Sequence, residues 1–516
     1  MRYSTGRDHL GMQATSVATY SYLVPGLTNL TQRARYYSYY PWLVEQYAKE
    51  VHSTGISEFN KFIRRGELLF AFVSILNDQG QRGIVGSRFV KSYIRDYGIP
   101  RSGTAINLAE FADIAKGKKT YWQLRGGGFA QYYLGPLADI GLLSRSKNHD
   151  IPIVTDAGRT VALNFGKSIG SEAETTILSS IKKGSIKYSD IEKYLTVIMP
   201  NQISATGQEA KNLLRHLIPD VNDKNGQNRR ETILAFINYL DQDRIADQQY
   251  DLPKAIYYRE GNNKNKIEFV DNVESLYGWR FYQINEYVHY ALEYVFFYLL
   301  QILHDDGGWI PIKECVEKIK KEAFDEINNI LPRMKNIKQT MKVGSLARIL
   351  KSYKNIPRRA KGTPDWLIPS EDFAEKNLAK ALLLLMVMYV RHEDEVHELY
   401  EYGRKTDILR EGSFLDIFAF FQSETSTTLE SFFSKLVYQK VVRKHLEVSY
   451  RKMSGDEKNT LKFQFDNNSL SGLEIVYPVL TSPRLTSVLN FLRDLGLVSL
   501  ENKPTANGLR ILNGRA

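Results

Sequence analysis

Two histidines in the C-terminal half are the first candidates for chemistry. His392 and His397 enclose the sequence Glu-Asp-Glu-Val, so they stand five residues apart. A zinc-binding helix of the HExxH kind needs histidines four residues apart, because that spacing puts both rings on one face. The observed spacing takes the two rings off a common face. It predicts a solvated acidic helix end rather than a metal site.

Other polar clusters have an equally plain structural interpretation. His304-Asp305 resembles half of a metal-dependent phosphohydrolase site, but glycines follow it, and the pattern predicts a turn that ends a helix. Gly126–Gly128 lacks the lysine and hydroxyl of a phosphate-binding loop and is interpreted as a flexible lead into a helix at Phe129.

Two further residues could belong to an enzyme. Asp365 could begin a nuclease carboxylate cluster, but no Glu-x-Lys follows it, and Cys315 has no evident base. The sequence therefore predicts no catalytic residue, no metal site and no cofactor. A nuclease built from dispersed carboxylates stays open as an alternative, since such a site has no local signature.

Composition narrows the class of protein. Cys315 is the one cysteine, which excludes a disulfide framework and a multi-thiolate zinc site within the chain. Met1–Leu10 is polar, and the apolar stretches carry charges or are too short to span a bilayer. A soluble cytoplasmic protein without a membrane partner is expected. The net charge of +11 favours a polyanionic partner, although a solvated basic surface is the alternative.

One stretch of the chain occurs twice. Leu137–Ser144 reads LADIGLLS and Leu492–Ser499 reads LRDLGLVS. Downstream, a Thr-x-x-Gly follows each of them, at Thr155–Gly158 and again at Thr505–Gly508. The two copies, Gly128–Ala162 and Pro483–Leu512, therefore predict one structural module used twice.

Each copy predicts a helix, a short ribbon and the start of a second helix. In the first copy we expect a helix over Phe129–Ile140 that Gly141 ends, then strands at Leu142–Ser144 and Ile151–Thr155, and a new helix from Asp156. Pro136 should kink the first helix. The expected elements of the second copy are a helix Leu485–Leu495, a stop at Gly496, a strand Leu497–Leu500 and a final helix after Thr505–Gly508.

This order of elements resembles winged-helix domains. The resemblance implies either DNA binding, in which one helix lies in the major groove, or docking on protein, as in kleisin-like partners of chromosome-organising ATPases. For DNA we expect contacts mostly to phosphate. The candidate contacts are Gln131, Tyr132, Arg145 and Lys147 in the first copy and Arg484, Ser487, Asn490 and Arg493 in the second. The first wing tip is longer and more basic, so a single DNA-binding wing should be the first.

An arginine- and tyrosine-rich stretch lies near the N-terminus. Gly26–Tyr40 predicts a helix from about Leu30 that ends or kinks at Pro41. Because aromatic residues fall on both faces, we interpret it as a buried scaffold helix, with base stacking as the alternative. Arg33 then needs an acidic or carbonyl partner. A second basic stretch, 333–361, could track a phosphate backbone or be a solvated face.

The Arg/Tyr stretch and the closing Pro483–Leu497 resemble bacterial proteins encoded beside phage-defence and DNA-modification genes, and this resemblance implies no catalytic residues. We predict a mainly α, multidomain chain with two winged helix-turn-helix modules, small β-ribbons and helical bundle domains. The predicted helices include a short one over Ala105–Ala115 and a long aromatic one over Trp279–His304, which is central to a helical domain. The predicted domains are 1–100, 101–170, 171–260, 261–450 and 451–516. The predicted function is a non-catalytic DNA-binding or adaptor subunit of a bacterial assembly with protein partners, and the resemblance implies a setting in antiphage defence. The alternatives are a kleisin-like scaffold and a nuclease.

Overall fold

The structure, a computed structural model, describes residues 8–114, 120–145, 150–219, 226–270, 273–330, 378–455 and 459–514, together with Leu346, Leu350 and Ile368. Helix accounts for 64% and strand for 6%, and this confirms the predicted mainly α class with small antiparallel sheets. Within the described ranges, no helix is at once long enough and apolar enough to cross a bilayer.

The helices of the first half run from the N-terminus to the middle of the chain. They are α1 Gln13–Leu23, α2 Tyr36–Glu50, α3 Ile56–Asn77, α4 Ser87–Tyr97, α5 Leu108–Ala112, α6 Leu134–Asp139, α7 Asp156–Ile169, α8 Ser171–Lys183, α9 Tyr188–Asp190, α10 Gln208–Leu217, α11 Gln227–Gln242, α12 Asp251–Tyr258 and α13 Glu274–Asp306. A π-helical turn, Phe129–Tyr133, precedes α6, and another, Ile191–Leu195, follows α9.

The second half is also helical. Its helices are α14 Ile312–Ile330, α15 Leu378–His392, α16 Val396–Lys405, α17 Phe414–Ser423, α18 Leu429–Leu436, α19 Lys444–Gly455, α20 Leu485–Asp494 and α21 Ala506–Leu512. A π-helical turn, Val437–Arg443, joins α18 to α19.

Three small antiparallel sheets are described. Their strands are β1 Ala105–Asn107, β2 Leu143–Ser144, β3 Ile153–Val154, β4 Ser185–Lys187, β5 Ile310–Pro311, β6 Phe463–Asp466 and β7 Ser469–Gly472. β1 pairs with β4, β2 pairs with β3, and β7 lies between β5 and β6. The β2–β3 ribbon matches Leu143 with Val154 and Ser144 with Ile153.

The chain divides into two compact units, each built from separated segments. The repeat unit comprises Leu23–Leu252, Gly261–Leu276 and Arg484–Ala516, and it holds both copies of the duplicated stretch. The helical unit comprises Met1–Tyr22, Pro253–Glu260 and Tyr277–Pro483. The five domain boundaries drawn from the sequence stay predictions.

Helix α2 is the core helix of the repeat unit. Both of its faces are buried, as expected of a scaffold helix, and Tyr36, Tyr39 and Trp42 are almost fully enclosed. The predicted start near Leu30 is wrong. The Thr28 hydroxyl accepts the backbone N–H groups of Leu30 and Thr31 and makes a turn there, and the helix begins at Tyr36.

The sequence predicted that Pro41 would end or kink this helix, and the helix does not end there. Pro41 lies inside the continuous helix. A proline forgoes one backbone hydrogen bond, and here the burial of its aromatic neighbours is the larger contribution to helix stability.

The predicted helix over Ala105–Ala115 is wrong in its first turn. Ala105–Asn107 forms β1, and the helix begins at Leu108. The Asn107 side chain accepts the backbone N–H of Glu110 at 3.0 Å, which fixes that residue as the N-cap. Pairing with β4 satisfies the backbone ahead of it.

Helix α13 is the centre of the helical unit, and the predicted aromatic helix over Trp279–His304 is confirmed within it. Its side chains are buried from Phe281 to Leu300 almost without exception. Charged residues in this core are gathered into one cluster, in which His289 lies 2.9 Å from Glu293 and 3.9 Å from Glu286. The helix ends before Gly307, as predicted.

Candidate nucleic-acid interface

The two copies of the duplicated stretch share their hydrogen bonds as well as their sequence. The Thr155 hydroxyl donates to the Gly141 carbonyl at 2.6 Å and accepts the Gly158 N–H at 3.0 Å. In the second copy Thr505 makes the same pair of bonds, at 2.7 Å and 3.2 Å. Each threonine thus caps a helix while it binds the turn that ends the preceding helix.

The glycines explain why the pattern recurs at these positions. A Cβ on Gly158 would lie 2.0 Å from the Leu142 carbonyl oxygen, and one on Gly508 would lie 2.3 Å from that of Leu497. Gly141 has a φ of +76° and ends the first helix, as predicted from its left-handed preference. The sequence repeat therefore encodes one helix–turn–helix geometry with the same threonine cap. The predicted strand Leu497–Leu500 is wrong, because the second copy forms only a single bridge, between Val498 and Pro504, where the first forms a ribbon.

The first copy is positioned by a buried carboxylate on α3. Glu67 accepts the backbone N–H groups of Gly128 at 2.9 Å and Phe129 at 2.7 Å, and the hydroxyls of Tyr40 and Tyr121 at 2.6 Å each. Burial raises the pKa of Glu67, and these four donors oppose the rise. The triple glycine is interpreted from the sequence as a flexible lead into the helix. Its last residue, Gly128, and the following Phe129 are instead bonded to Glu67 through their backbone N–H groups.

Arg64 of the same helix positions the segment that precedes this helix. Its guanidinium donates to the carbonyls of Ala112 at 2.6 Å, Leu124 at 2.6 Å and Trp122 at 3.0 Å. It also lies 4.9 Å from the centre of the Tyr121 ring. Because the N–H groups of this buried guanidinium donate to backbone carbonyls, Arg64 holds the backbone in place rather than binding a ligand.

The predicted helix Phe129–Ile140 is present, and the structure shows how it accommodates Pro136. Phe129–Tyr133 is a π-helical turn, in which the Leu134 N–H bonds to the Phe129 carbonyl, and α6 follows directly. Pro136 has no N–H to donate, and in a regular α-helix its ring would clash with the carbonyl one turn earlier. The wider π-helical turn removes this clash.

Gln131 and Tyr132 lie on the outward part of this π-helical turn. Gln131 is exposed and Tyr132 is half-buried. The indole N–H of Trp122 donates to the Gln131 carbonyl oxygen at 2.9 Å, and the Trp122 and Tyr132 rings meet edge to face at 5.5 Å. The structure therefore brings two predicted contacts together and adds Trp122 to them.

Arg145 lies at the base of the first wing and is exposed. Its guanidinium lies against Gly135, at 3.3 Å from the place a Cβ would occupy. It forms no ion pair with a carboxylate in the part of the chain that the structure describes, although the Asp139 carboxyl interacts with it at longer range. Lys147 lies outside the described residues, as does the rest of the tip, 146–149.

The helix of the second copy, α20, packs into the interior of the repeat unit. Phe491 lies edge to face with Tyr37 at 4.9 Å, and Ser487 is only 1% exposed. Its apolar face lines a small apolar gap with residues from α10, α11 and the segment before α2. Those residues are Leu27, Leu214, Leu217, Ile218 and Ile233.

The remaining candidate contacts of the second copy have partners within the protein. Arg484 donates to the Leu27 carbonyl at 2.8 Å, and Arg493 donates to the side chains of Asn490 and Asn502. Arg33 donates to the Asp494 carboxylate through Nε at 2.9 Å and Nη2 at 2.8 Å. Of the two kinds of partner expected for Arg33, acidic or carbonyl, the main one is thus acidic.

His392 departs from the solvated helix end expected of it. It is buried, and its ring binds the Tyr257 hydroxyl at 2.9 Å on one side and Glu395 on the other. Burial alone would raise the pKa of Glu395, but His392 and Arg280 outweigh it and lower that pKa to about 2. His397 is exposed.

Other sequence candidates give no further site. Among the described residues, no three His, Cys, Asp or Glu side chains are grouped so as to hold a metal ion. Asp365 and the basic stretch 333–361, apart from Leu346 and Leu350, lie outside the described residues. Burial raises the pKa of the Cys315 thiol to about 11.

Sequence reasoning missed Glu67, Arg64 and Trp122. A signal for the first two exists, because they interrupt an otherwise apolar run on α3, and a buried charge there must have partners. Trp122 carries no such signal, since its bond to Gln131 depends on how the preceding segment folds back. Comparison of the chain with protein-family models, with curated proteins and with solved structures found no match.

Proposed function

We propose that this protein binds DNA through the first copy of the duplicated module, with the helix Phe129–Asp139 and the β2–β3 ribbon forming a winged-helix interface. The observation that carries the proposal is the contrast between the two copies. The first copy leaves Gln131 exposed and Tyr132 half-buried and carries the exposed guanidinium of Arg145. The matching positions of the second copy are the half-buried Thr486, the buried Ser487 and the apolar Leu500.

The chemistry of the exposed groups fits a phosphate-dominated interface. Arg145 is a guanidinium without an ion pair to any described carboxylate, and such a group binds phosphate oxygens in a fork geometry. Gln131 and Tyr132 supply a polar and an aromatic contact on the adjoining helix. The net charge of +11 favours approach to a polyanion.

Membership of a larger bacterial assembly, and a setting in antiphage defence, belong to the same proposal. They follow from the sequence resemblance alone. A protein-docking role, as in kleisin-like subunits, predicts a different use of the same surface, because a protein partner would not require Arg145 and Lys147 to be positive.

Binding to duplex DNA at two salt concentrations tests the proposal. The double variant Arg145→Glu/Lys147→Glu should bind at least about tenfold more weakly at about 50 mM salt. Its affinity should also fall less steeply between about 50 and 200 mM, because each lost phosphate contact reduces the salt slope by about one.

A matched control changes the same charge elsewhere. Arg404 and Lys405 are adjacent, exposed residues at the end of α16 in the helical unit, so Arg404→Glu/Lys405→Glu alters net charge equally. Equal losses in both double variants would show a non-specific charge effect and contradict the proposal. So would an absence of binding at low salt.

A further inference from the structure

The side chain of Gln131 has its orientation set by a neighbour. The Trp122 indole nitrogen lies 2.9 Å from the Gln131 carbonyl oxygen. An indole N–H can only donate, so the atom that faces it must be the glutamine oxygen and not the amide nitrogen. The amide nitrogen, with its two N–H groups, is therefore the part of Gln131 left for a ligand.

Trp122 is itself held in place. Its backbone carbonyl accepts Arg64 at 3.0 Å and the Thr120 hydroxyl at 2.7 Å, and its ring packs edge to face on Tyr132. Because the Trp122 backbone is hydrogen-bonded and its indole packs on Tyr132, Gln131 has a positioned partner before any ligand arrives. A preordered side chain loses less conformational entropy on binding.

The four bases present different groups to such a side chain. A free glutamine uses both its oxygen and its nitrogen to read adenine, which offers an acceptor and a donor in the major groove. Guanine offers two acceptors, N7 and O6. The oxygen of Gln131 keeps a second lone pair, but it faces Trp122, so the side chain presents its nitrogen to a ligand rather than oxygen and nitrogen together. Such a glutamine matches guanine better than adenine.

We propose that Gln131 reads DNA as a hydrogen-bond donor and favours guanine, and that Trp122 is the positioning residue that imposes this preference. The inference rests on the DNA-binding function proposed above. It goes further by naming the base that the first copy selects and the contact inside the protein that decides it.

Selection of bound duplexes from a pool with a randomised core tests the inference. The wild-type protein should enrich one G·C position by roughly tenfold over A·T. Trp122→Phe keeps an aromatic ring and the backbone contacts but removes the indole N–H. The Gln131 side chain can then turn its oxygen towards the base, so adenine should become acceptable at that position.

A second variant reverses the hydrogen-bonding character of the free group. Gln131→Glu still accepts the Trp122 N–H, but its outer atom becomes an acceptor, and the preferred base should change from guanine to cytosine, whose amino group donates. Gln422→Glu, on an exposed residue of α17, makes the same chemical change elsewhere and should select the same DNA as the wild type.

The outcomes separate this inference from the proposed function. Binding without any enriched guanine contradicts the donor assignment and leaves DNA binding in place. A guanine preference that persists in Trp122→Phe shows that Trp122 does not set it and overturns that part. If the wild type binds no duplex at low salt, both proposals fail together.

Discussion

Glu67 shows how one buried charge can position a surface that it does not itself reach. It accepts four hydrogen bonds, two from tyrosines and two from the backbone that opens the helix of the first copy. Burying a carboxylate is costly unless such donors surround it. The side chain therefore ties the start of this helix to α3.

Replacing this carboxylate tests that role. We expect Glu67→Gln to lower the free energy of unfolding by about 2–4 kcal/mol, because an amide nitrogen would face donors that need an acceptor. Urea unfolding monitored by circular dichroism measures the loss. Glu58→Gln, on the exposed first turn of the same helix, is the control and should change stability by less than about 0.5 kcal/mol.

His289 predicts a pH dependence in the helical unit. Burial by itself lowers the pKa of His289, but Glu293 and Glu286 outweigh it and raise that pKa to about 9, above the ordinary value of 6.5. The folded state therefore holds this proton more tightly than the unfolded chain does. The contribution of His289 to the free energy of unfolding is complete below pH 6.5 and is lost as the pH rises to about 9.

Unfolding free energies at the two ends of this window check the prediction. We expect the wild type to lose on the order of 3 kcal/mol between them, and His289→Gln to show a much smaller change on top of a lower stability throughout. An identical pH dependence in the variant would mean that other groups carry it.

At the scale of elements, the duplicated module depends on two glycines with matching surroundings. Ala is the better helix former, so Gly→Ala near a helix start would ordinarily stabilise by up to about 1 kcal/mol. At Gly158 and Gly508 a Cβ would meet a carbonyl oxygen at 2.0 and 2.3 Å. The backbone would have to move, and that cost is the larger effect.

Gly158→Ala and Gly508→Ala should therefore each destabilise the repeat unit, by about 1–3 kcal/mol. Thermal unfolding of the single variants measures this. Gly103, where a Cβ would meet nothing within 4 Å, is the matched control, and Gly103→Ala should leave the transition unchanged. A stabilised Gly158→Ala or Gly508→Ala would show that the shared hydrogen-bond pattern does not constrain the module.

At the scale of the whole molecule, the last helices complete the repeat unit although 200 or more residues separate them from its remainder in sequence. Phe491 and Asp494 of α20 contact Tyr37 and Arg33 near the start of the chain. Such long-range packing leaves a cavity when a large side chain is removed.

Phe491→Ala should cost about 3–5 kcal/mol, and the loss should appear in the repeat unit. Hydrogen exchange followed by mass spectrometry can distinguish the units, because α2 reports on one and α13 on the other. We expect faster exchange in α2 with α13 little changed. The control Phe465→Ala, at an exposed position of β6, should change the exchange rate of neither helix. Equally faster exchange of α2 and α13 in Phe491→Ala would contradict the assignment of α20 to the repeat unit.

Much of the local structure was predictable from the residues. The spacing of apolar residues and the positions of glycines predicted the helix at Phe129, its end at Gly141 and the ribbon that follows. All three are present in the first copy. Asn107 capping was overlooked, so the predicted helix began three residues early. The start of α2 was misplaced for a related reason, since a threonine side chain made a turn where the pattern continued.

What the sequence determined by itself is the repeated module, because its helices, glycines and capping threonines act over a few residues. What the tertiary structure alone decided is how exposed the matching positions of the two copies are. Gln131 is exposed and Tyr132 half-buried, whereas Thr486 and Ser487, at the same places in the second copy, are half-buried and buried. Burial depends on residues far away in the chain, and no local pattern contains them.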